Sequence, residues 1–167
     1  ASSCLAINIS IESIIKGLTH VQGVSGRLDT FSLTSGCRLI DDTYNANLNS
    51  IKAAIDLLSE SPSPRVLVLG DMAELGDFAR QSHEEVGIYA QTKNIDVLYT
   101  NGEFTKLTQQ VFNDERQKNK NNQKGQHFSD QKELIETIKN DISDFKTILV
   151  KGSRSAHMER VVDALKI

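Results

Sequence analysis

Along most of the chain, short unbroken apolar runs alternate with stretches in which apolar residues return every three or four positions. The runs predict strands buried on both faces; the periodic stretches predict helices with one apolar side. Residues 11–21, "IESIIKGLTHV", place Ile11, Ile14, Ile15 and Leu18 on one helical face, with Ser10 as N-cap. The paired glycines of "GVSGR" then read as a linker. Two extended runs follow, "LDTFSL" and "CRLIDDT", joined by "TSG"; they predict an antiparallel hairpin.

Beyond the hairpin the alternation is steady. "SIKAAIDLLSE" sets Ile51, Ala54, Ile55 and Leu58 at helical spacing until "SPSP" ends it, and "RVLVLGD" is a continuous apolar strand. "SHEEVGIYAQTK" predicts a helix opening on a capping box from Ser82 to Glu85, followed by the strand "DVLYTNG". "EFTKLTQQVF" predicts a modest helix, and "QKNKNNQKGQ", residues 117–126, a polar mobile loop. A short "HFS", the helix "DQKELIETIKNDI" and the strand "TILVKG" come next. The closing helix carries Met158, Val161, Val162 and Leu165. The expectation is an α/β, Rossmann-like three-layer domain over residues 25–167. Its sheet of about six strands is mostly parallel, with the N-terminal hairpin strand antiparallel. Residues 1–24 read as the helical remnant of a neighbouring domain, with a linker.

Composition narrows the class. With 167 residues, 38% hydrophobic, the chain can close one ordinary core with a small appendage. A net charge of −3 and the lack of a basic patch interleaved with aromatics give no electrostatic case for nucleic acid. No apolar run approaches the roughly 20 residues that span a bilayer, so no membrane insertion is expected. "ASSCLAINIS" lacks the basic start and long apolar centre of a signal peptide. Cys4 and Cys37 are too few and too far apart for a metal site or a disulfide framework, and fit a reducing cytoplasm. A chain that opens "ASSC" without Met is expected to be a piece of something longer.

Candidate chemistry gathers at the strand ends, where open α/β sheets bind ligands. Four of them are unusually polar: "DDTYNAN", "GDMAELG", "TNGE" and "KGSRS". Gly70, Gly102 and Gly152 are expected to let the backbone turn or approach a ligand. In the first patch, Asp42 has the acceptor-only geometry suited to a ribose diol and is expected at an exposed strand end. Asn45 and Asn47 donate and accept, and Tyr44 offers a ring and a hydroxyl. An ordinary helix cap, with Asn47 or Asn49 capping and Asp41 in a turn, explains one or two of these residues but not all.

"GDMAELGDFARQSH" is too long for a tight turn and carries Asp71, Glu74, Asp77, Arg80 and His83. It reads equally well as a substrate loop or a solvated acidic loop, with His83 near the start of a helix rather than a catalytic base. "KGSRS" brings Lys151 and Arg154 beside a glycine turn and two hydroxyls, a site for a carboxylate or phosphate, or simple surface. His20, His127 and His157 share no metal-ligand spacing. Neither GxxxxGK[ST] nor GxGxxG occurs anywhere, so the domain has no phosphate cradle of its own.

The motifs "GRLD" at 26–29, "DDTYNANLNSIKAAID" at 41–56, "RVLVLGDMAELG" at 65–76, "HEEVG" at 83–87 and "ILVKGSRSAHMERVVDAL" at 148–165 occur in one order with suitable spacing. Together they resemble the C-terminal domain of the Mur ligases, from about residue 5 to the end. Within that family they resemble the members that add D-alanyl-D-alanine to UDP-N-acetylmuramoyl-tripeptide.

The resemblance implies a three-domain, monomeric, cytoplasmic enzyme. One domain takes the UDP-sugar, a central ATPase carries the phosphate loop and the magnesium ligands, and this third domain closes over them. Residues 1–24 would then hold the last helix of the central domain. The implied reaction phosphorylates the tripeptide carboxylate with ATP. The amine of D-alanyl-D-alanine then attacks the acyl phosphate, which splits one hard step into two easier ones. By position, the resemblance implies Arg27 and Asp42 on ATP, with Tyr44, Asn45 and Asn47 in the same motif. It implies Asp71, Glu74, Lys151, Ser153 and Arg154 around the dipeptide. No catalytic residue or metal ligand is implied in this domain.

Two positions depart from the family's pattern. Leu48 stands where a proline usually fixes the helix's first turn, and Asp29 stands where Glu is commoner. Two other readings stay open on the residues alone. A free-standing nucleotide-binding domain would need a phosphate cradle. A small α/β enzyme acting alone would need a nucleophile elbow or a glycine-rich cofactor loop.

Overall fold

In the computed structural model, residues 10–19, 25–119 and 124–166 are described. The apolar runs form one sheet of β1 (Asp29–Ser32), β2 (Arg38–Asp42), β3 (Arg65–Gly70), β4 (Val97–Asn101), β5 (Lys124–Phe128) and β6 (Thr147–Lys151). The helices are α1 (Ile11–Thr19), α2 (Leu48–Ser59), α3 (Ala79–Thr92), α4 (Thr105–Asn119), α5 (Gln131–Asp141) and α6 (Glu159–Leu165). Spatial strand order is β1-β2-β6-β3-β4-β5, with β1 antiparallel to β2 and every other pair parallel. This is the sheet expected from the sequence, hairpin included.

The unbroken apolar runs follow from burial on both faces. Leu39, Val66, Val68, Ile148 and Val150 point to one side, where Leu134 and Ile138 of α5 and Val161, Val162 and Leu165 of α6 cover them. Ile40, Leu67, Leu69, Leu98 and Leu149 point to the other, against Ile51, Ile55 and Leu58 of α2, Val86 of α3 and Phe112 of α4. Two cores therefore sandwich one sheet.

Helix starts show which local signals won. Ser10 caps α1, accepting from the Ser13 N–H at 3.2 Å. Asn47 caps α2: its side-chain oxygen accepts from the Ser50 N–H at 2.9 Å, and the Ser50 hydroxyl accepts from the Asn47 N–H at 3.0 Å. This reciprocal box fixes the first turn at Leu48 without a proline. The box expected at Ser82 and Glu85 does not form. A 3-10 turn, Gly76–Phe78, hands over directly to α3 at Ala79, so Ser82 lies inside the helix and is buried.

The loop expected over 117–126 is also corrected. Helix α4 continues to Asn119, and β5 begins at Lys124; residues 120–123 lie outside the described part. A polar stretch becomes an edge strand because α4 satisfies its backbone. The Asn113 amide donates to the Gly125 carbonyl at 3.0 Å and accepts from its N–H at 3.1 Å, and Gln109 donates to the same carbonyl at 3.2 Å.

Helices α3 and α4 touch backbone to backbone at Gly87. A Cβ there would lie 2.4 Å from the Thr108 carbonyl oxygen and 3.3 Å from the Phe112 nitrogen. Neither neighbour is a flexible side chain. Gly87→Ala is therefore expected to destabilise the domain by about 1–3 kcal/mol in urea unfolding, despite the better helix propensity of alanine. A gain in stability would mean that the helices separate without loss.

Candidate functional site

The functional surface starts from strand register. Strands β2 and β6 pair so that Asp42 lies opposite Lys151, the last residue of each. The Lys151 ammonium is 2.5 Å from Asp42 Oδ2, 2.9 Å from the Asn45 carbonyl oxygen and 3.5 Å from the Asp42 carbonyl oxygen. The lysine side chain is 2% exposed and the aspartate 15%, so the pair closes the end of the sheet rather than standing on its surface. Asp42 is thus less exposed than its position at a polar strand end suggested. Among the described residues, its Oδ1 has no protein donor.

Beside the pair, the segment before β1 folds back. The Asp29 carboxylate accepts from the Gly26 N–H at 3.0 Å, and the Gly26 carbonyl accepts from the Tyr44 N–H at 2.9 Å. The shorter Asp29 therefore still closes the turn that presents Arg27. Gly26 has φ +80, and a Cβ would crowd the Tyr44 nitrogen at 3.0 Å. The Arg27 guanidinium lies 4.3 Å from the centre of the Tyr44 ring.

Arg27, Asp42, Tyr44, Asn45 and Asn47 all line one cleft of about 460 Å³, with Lys151 at its base and Leu28, Ala53 and Leu57 as an apolar wall. Every residue expected to reach ATP is thereby brought together. Both asparagines also do local work, Asn47 as the α2 cap and Asn45 by accepting from the Ala46 N–H at 2.8 Å. Asp41 turns the chain, as the cap-and-turn reading expected, accepting from the Thr43 N–H at 3.1 Å and its hydroxyl at 2.7 Å.

A wider groove of about 1200 Å³ lies across the 43–47 loop, and Tyr44, Asn45 and Asn47 line both. It brings Glu74, Ser153 and Arg154 together with His157, Glu159 and Lys166. Ser153 is buried; its N–H donates to the Asp71 carbonyl at 2.9 Å, which ties the "KGSRS" loop to the "GDMAELG" loop. One Glu159 oxygen lies 3.2 Å from His157 Nδ1, and the other is buried without a partner among the described residues. Burial pushes the Glu159 carboxyl upward, but bonds from its own N–H and His157, with the Arg154 charge, hold it below the usual range.

The remaining expected site residues lie elsewhere. The Asp71 carboxylate accepts from the N–H groups of Glu103 at 2.8 Å, Phe104 at 3.3 Å and Thr105 at 2.8 Å, capping α4 from a neighbouring strand end. It does not line either cleft. His83 is buried inside α3: Nε2 accepts from the Met72 N–H at 3.1 Å, Nδ1 sits 2.7 Å from the Ala79 carbonyl oxygen, and the ring stacks on Phe104. The tautomer protonated on Nδ1 satisfies both bonds, which makes His83 a loop anchor.

The expected role of the strand-end glycines is corrected in part: Gly102, with φ +141, makes the turn expected of it, but all three give their space to protein side chains. A Cβ on Gly70 or Gly152 would strike Met158 at 2.6 Å, and one on Gly102 would strike the Asp71 carboxylate at 2.3 Å.

Sequence reasoning passed over His157, Glu159 and Leu28. His157, Leu28 and Glu74 hold left-handed backbone, with φ of 50, 59 and 61. Of the four non-glycine residues in that region among those described, these three line the clefts. Such strain, about 1–3 kcal/mol each, clusters where a site over-determines the backbone. Nothing in the residue types announced it.

Fold and clefts define a Rossmann-like α/β domain whose open sites sit at the carboxyl ends of β2, β3 and β6. The chain belongs to the Mur ligase family, matching the model for the "Mur ligase, glutamate ligase domain" over residues 26–154. It is 38% identical to the UDP-N-acetylmuramoyl-tripeptide–D-alanyl-D-alanine ligase of Escherichia coli, across 99% of this chain and 35% of that protein. It is 33% identical to the ligase of the same name from Bacillus subtilis, across 94% of this chain and 34% of that one. Among solved structures, MurF from Acinetobacter baumannii superposes with a TM-score of 0.82 at 32% identity, covering 98% of this chain and 34% of that chain. The chain thus spans about a third of the length of these relatives.

Proposed function

We propose that this chain is the C-terminal domain of a cytoplasmic ligase that joins D-alanyl-D-alanine to UDP-N-acetylmuramoyl-tripeptide through an acyl phosphate, in peptidoglycan precursor synthesis. The observation that carries the reading is the pair of open clefts divided by the 43–47 loop. Two substrates that must meet at one carbonyl need adjoining sites of this kind. The relatives are ligases named for this joining reaction, and this chain spans only about a third of their length.

In this reading the first cleft covers ATP. The Asp42 carboxylate accepts from the ribose hydroxyls, and Arg27 and Tyr44 lie alongside the nucleotide. The second groove takes the dipeptide, with Arg154 and Ser153 on its carboxylate and the acids Glu74 and Glu159 near its ammonium. Magnesium ligands and the phosphate loop belong to a central domain, of which α1 (Ile11–Thr19) is the last helix; the linker expected after it falls outside the described residues. The enzyme acts as a monomer, and this domain alone is inactive because it holds half of each site.

Arg154→Ala in the full-length enzyme is expected to raise KM for D-alanyl-D-alanine roughly ten- to a hundredfold, the worth of a charged hydrogen bond, with KM for ATP unchanged. Phosphate release measured against each substrate reads both constants. A change confined to ATP would mean that the two clefts have been exchanged.

A further inference from the structure

We infer that Lys151 is a positioning residue of the nucleotide cleft: its buried ammonium holds the Asp42 carboxylate and the turn through Asn45 in place. The inference rests on the nucleotide reading of that cleft. It separates Lys151 from Ser153 and Arg154, its neighbours in "KGSRS".

The separation is made by the strand end. Lys151 is the last residue of β6 and sits level with Asp42, whereas Ser153 and Arg154 come after Gly152 and line the other groove. An ammonium has three N–H donors, and three oxygens surround this one within 3.5 Å. With its side chain 2% exposed, it has no donor left for a carboxylate arriving from solvent.

What the ammonium holds explains its place. By pairing with Asp42 it holds a nearly buried carboxylate aimed, with one oxygen left for a ligand donor. By binding the Asn45 carbonyl it closes the 42–45 turn, which also carries Tyr44 and, through the ring, Arg27. Arg27, Asp42, Tyr44 and Asn45 therefore share one buried support. Groups that bind ligand act at full strength only when such support fixes them.

The test uses the full-length enzyme carrying Lys151→Met, Asp42→Asn and both together. Lys151→Met is expected to raise KM for ATP about tenfold, with KM for D-alanyl-D-alanine within about twofold of the parent. The double variant is expected to be no worse than the poorer single, because the two residues act as a unit. A rise in the dipeptide constant for Lys151→Met overturns the inference. So does a rise in KM for ATP with Asp42→Asn beside a silent Lys151→Met, which leaves the nucleotide reading standing. An Asp42→Asn enzyme with unchanged KM for ATP sinks that reading and this inference with it.

Should Lys151→Met not fold, lysine acylation of the wild-type enzyme, read by mass spectrometry, decides the matter. Lys151 is expected to stay unlabelled with or without D-alanyl-D-alanine. Ready labelling that the dipeptide suppresses overturns the assignment.

Discussion

Asp42→Ala is expected to cost the domain about 3–5 kcal/mol and, in the full-length enzyme, to raise KM for ATP at least tenfold. The stability loss comes from what the substitution leaves behind. Lys151 is 2% exposed and its strongest partner is the Asp42 carboxylate at 2.5 Å, so removing that carboxylate strands a buried positive charge. Two carbonyl oxygens remain near the ammonium, but neither carries the opposite charge. Urea unfolding followed by circular dichroism reads the first effect, and substrate kinetics the second. Asp42→Asn separates them: it keeps an oxygen for Lys151, so it recovers part of the stability while still losing the second carboxylate oxygen that faces the ligand. Equal stability of Asp42→Ala and wild type would show that the lysine finds water or another anion at the sheet end.

That prediction reverses what the sequence suggested, and the reason is instructive. Reading "DDTYNAN" alone, Asp42 is an exposed strand-end carboxylate whose loss should leave the fold intact. The residue that buries and binds it, Lys151, is 109 positions away, and their meeting depends on strand order and register. Periodicity shows that β2 and β6 exist but not that they are neighbours.

The fold itself was legible because its signals are local. The alternating faces of Leu39 and Ile40, or of Val66 and Leu67, appear in the sequence as unbroken apolar runs, and α2 as a spacing of Ile51, Ala54, Ile55 and Leu58. One departure falls where distant residues supply the hydrogen bonds, the other where a turn is hidden in a polar loop. Strand β5 looked like loop because its polarity is matched by Asn113 and Gln109 on α4. The start of α3 was misplaced because a 3-10 turn, not Ser82, opens it.

The candidate site divides in the same way. The residues expected at ATP are contiguous in one loop or lie just before β1, so the sequence grouped them, and they share a cleft. The set expected around the dipeptide came from two loops, and geometry sorts it. Glu74, Ser153 and Arg154 line the second groove, Lys151 lies under the first, and Asp71 leaves both for a helix end.

Asp71 yields the second large effect. Asp71→Ala is expected to destabilise the domain by about 2–3 kcal/mol, more than the loss of an ordinary helix cap. A typical cap satisfies one or two N–H groups from within its own helix. Asp71 satisfies three at the start of α4 while sitting at the end of β3, so it also welds that strand end to the helix. The negative charge adds to the bonds, because the unpaired N–H groups of a helix start carry partial positive charge. Gly102 is part of the same device: with φ +141 and no side chain, it lets the carboxylate lie where a Cβ would be. Deleting the carboxylate thus leaves a gap, removes the acceptor of three N–H groups, and strands the part-buried one on Thr105. At roughly 2–4 °C per kcal/mol for a domain of this size, the midpoint of thermal unfolding should fall by about 4–12 °C. Asp71→Asn keeps one acceptor oxygen and should recover about half of the loss. An Asp71→Ala domain that unfolds like wild type while KM for D-alanyl-D-alanine rises would move Asp71 from the helix end to the substrate.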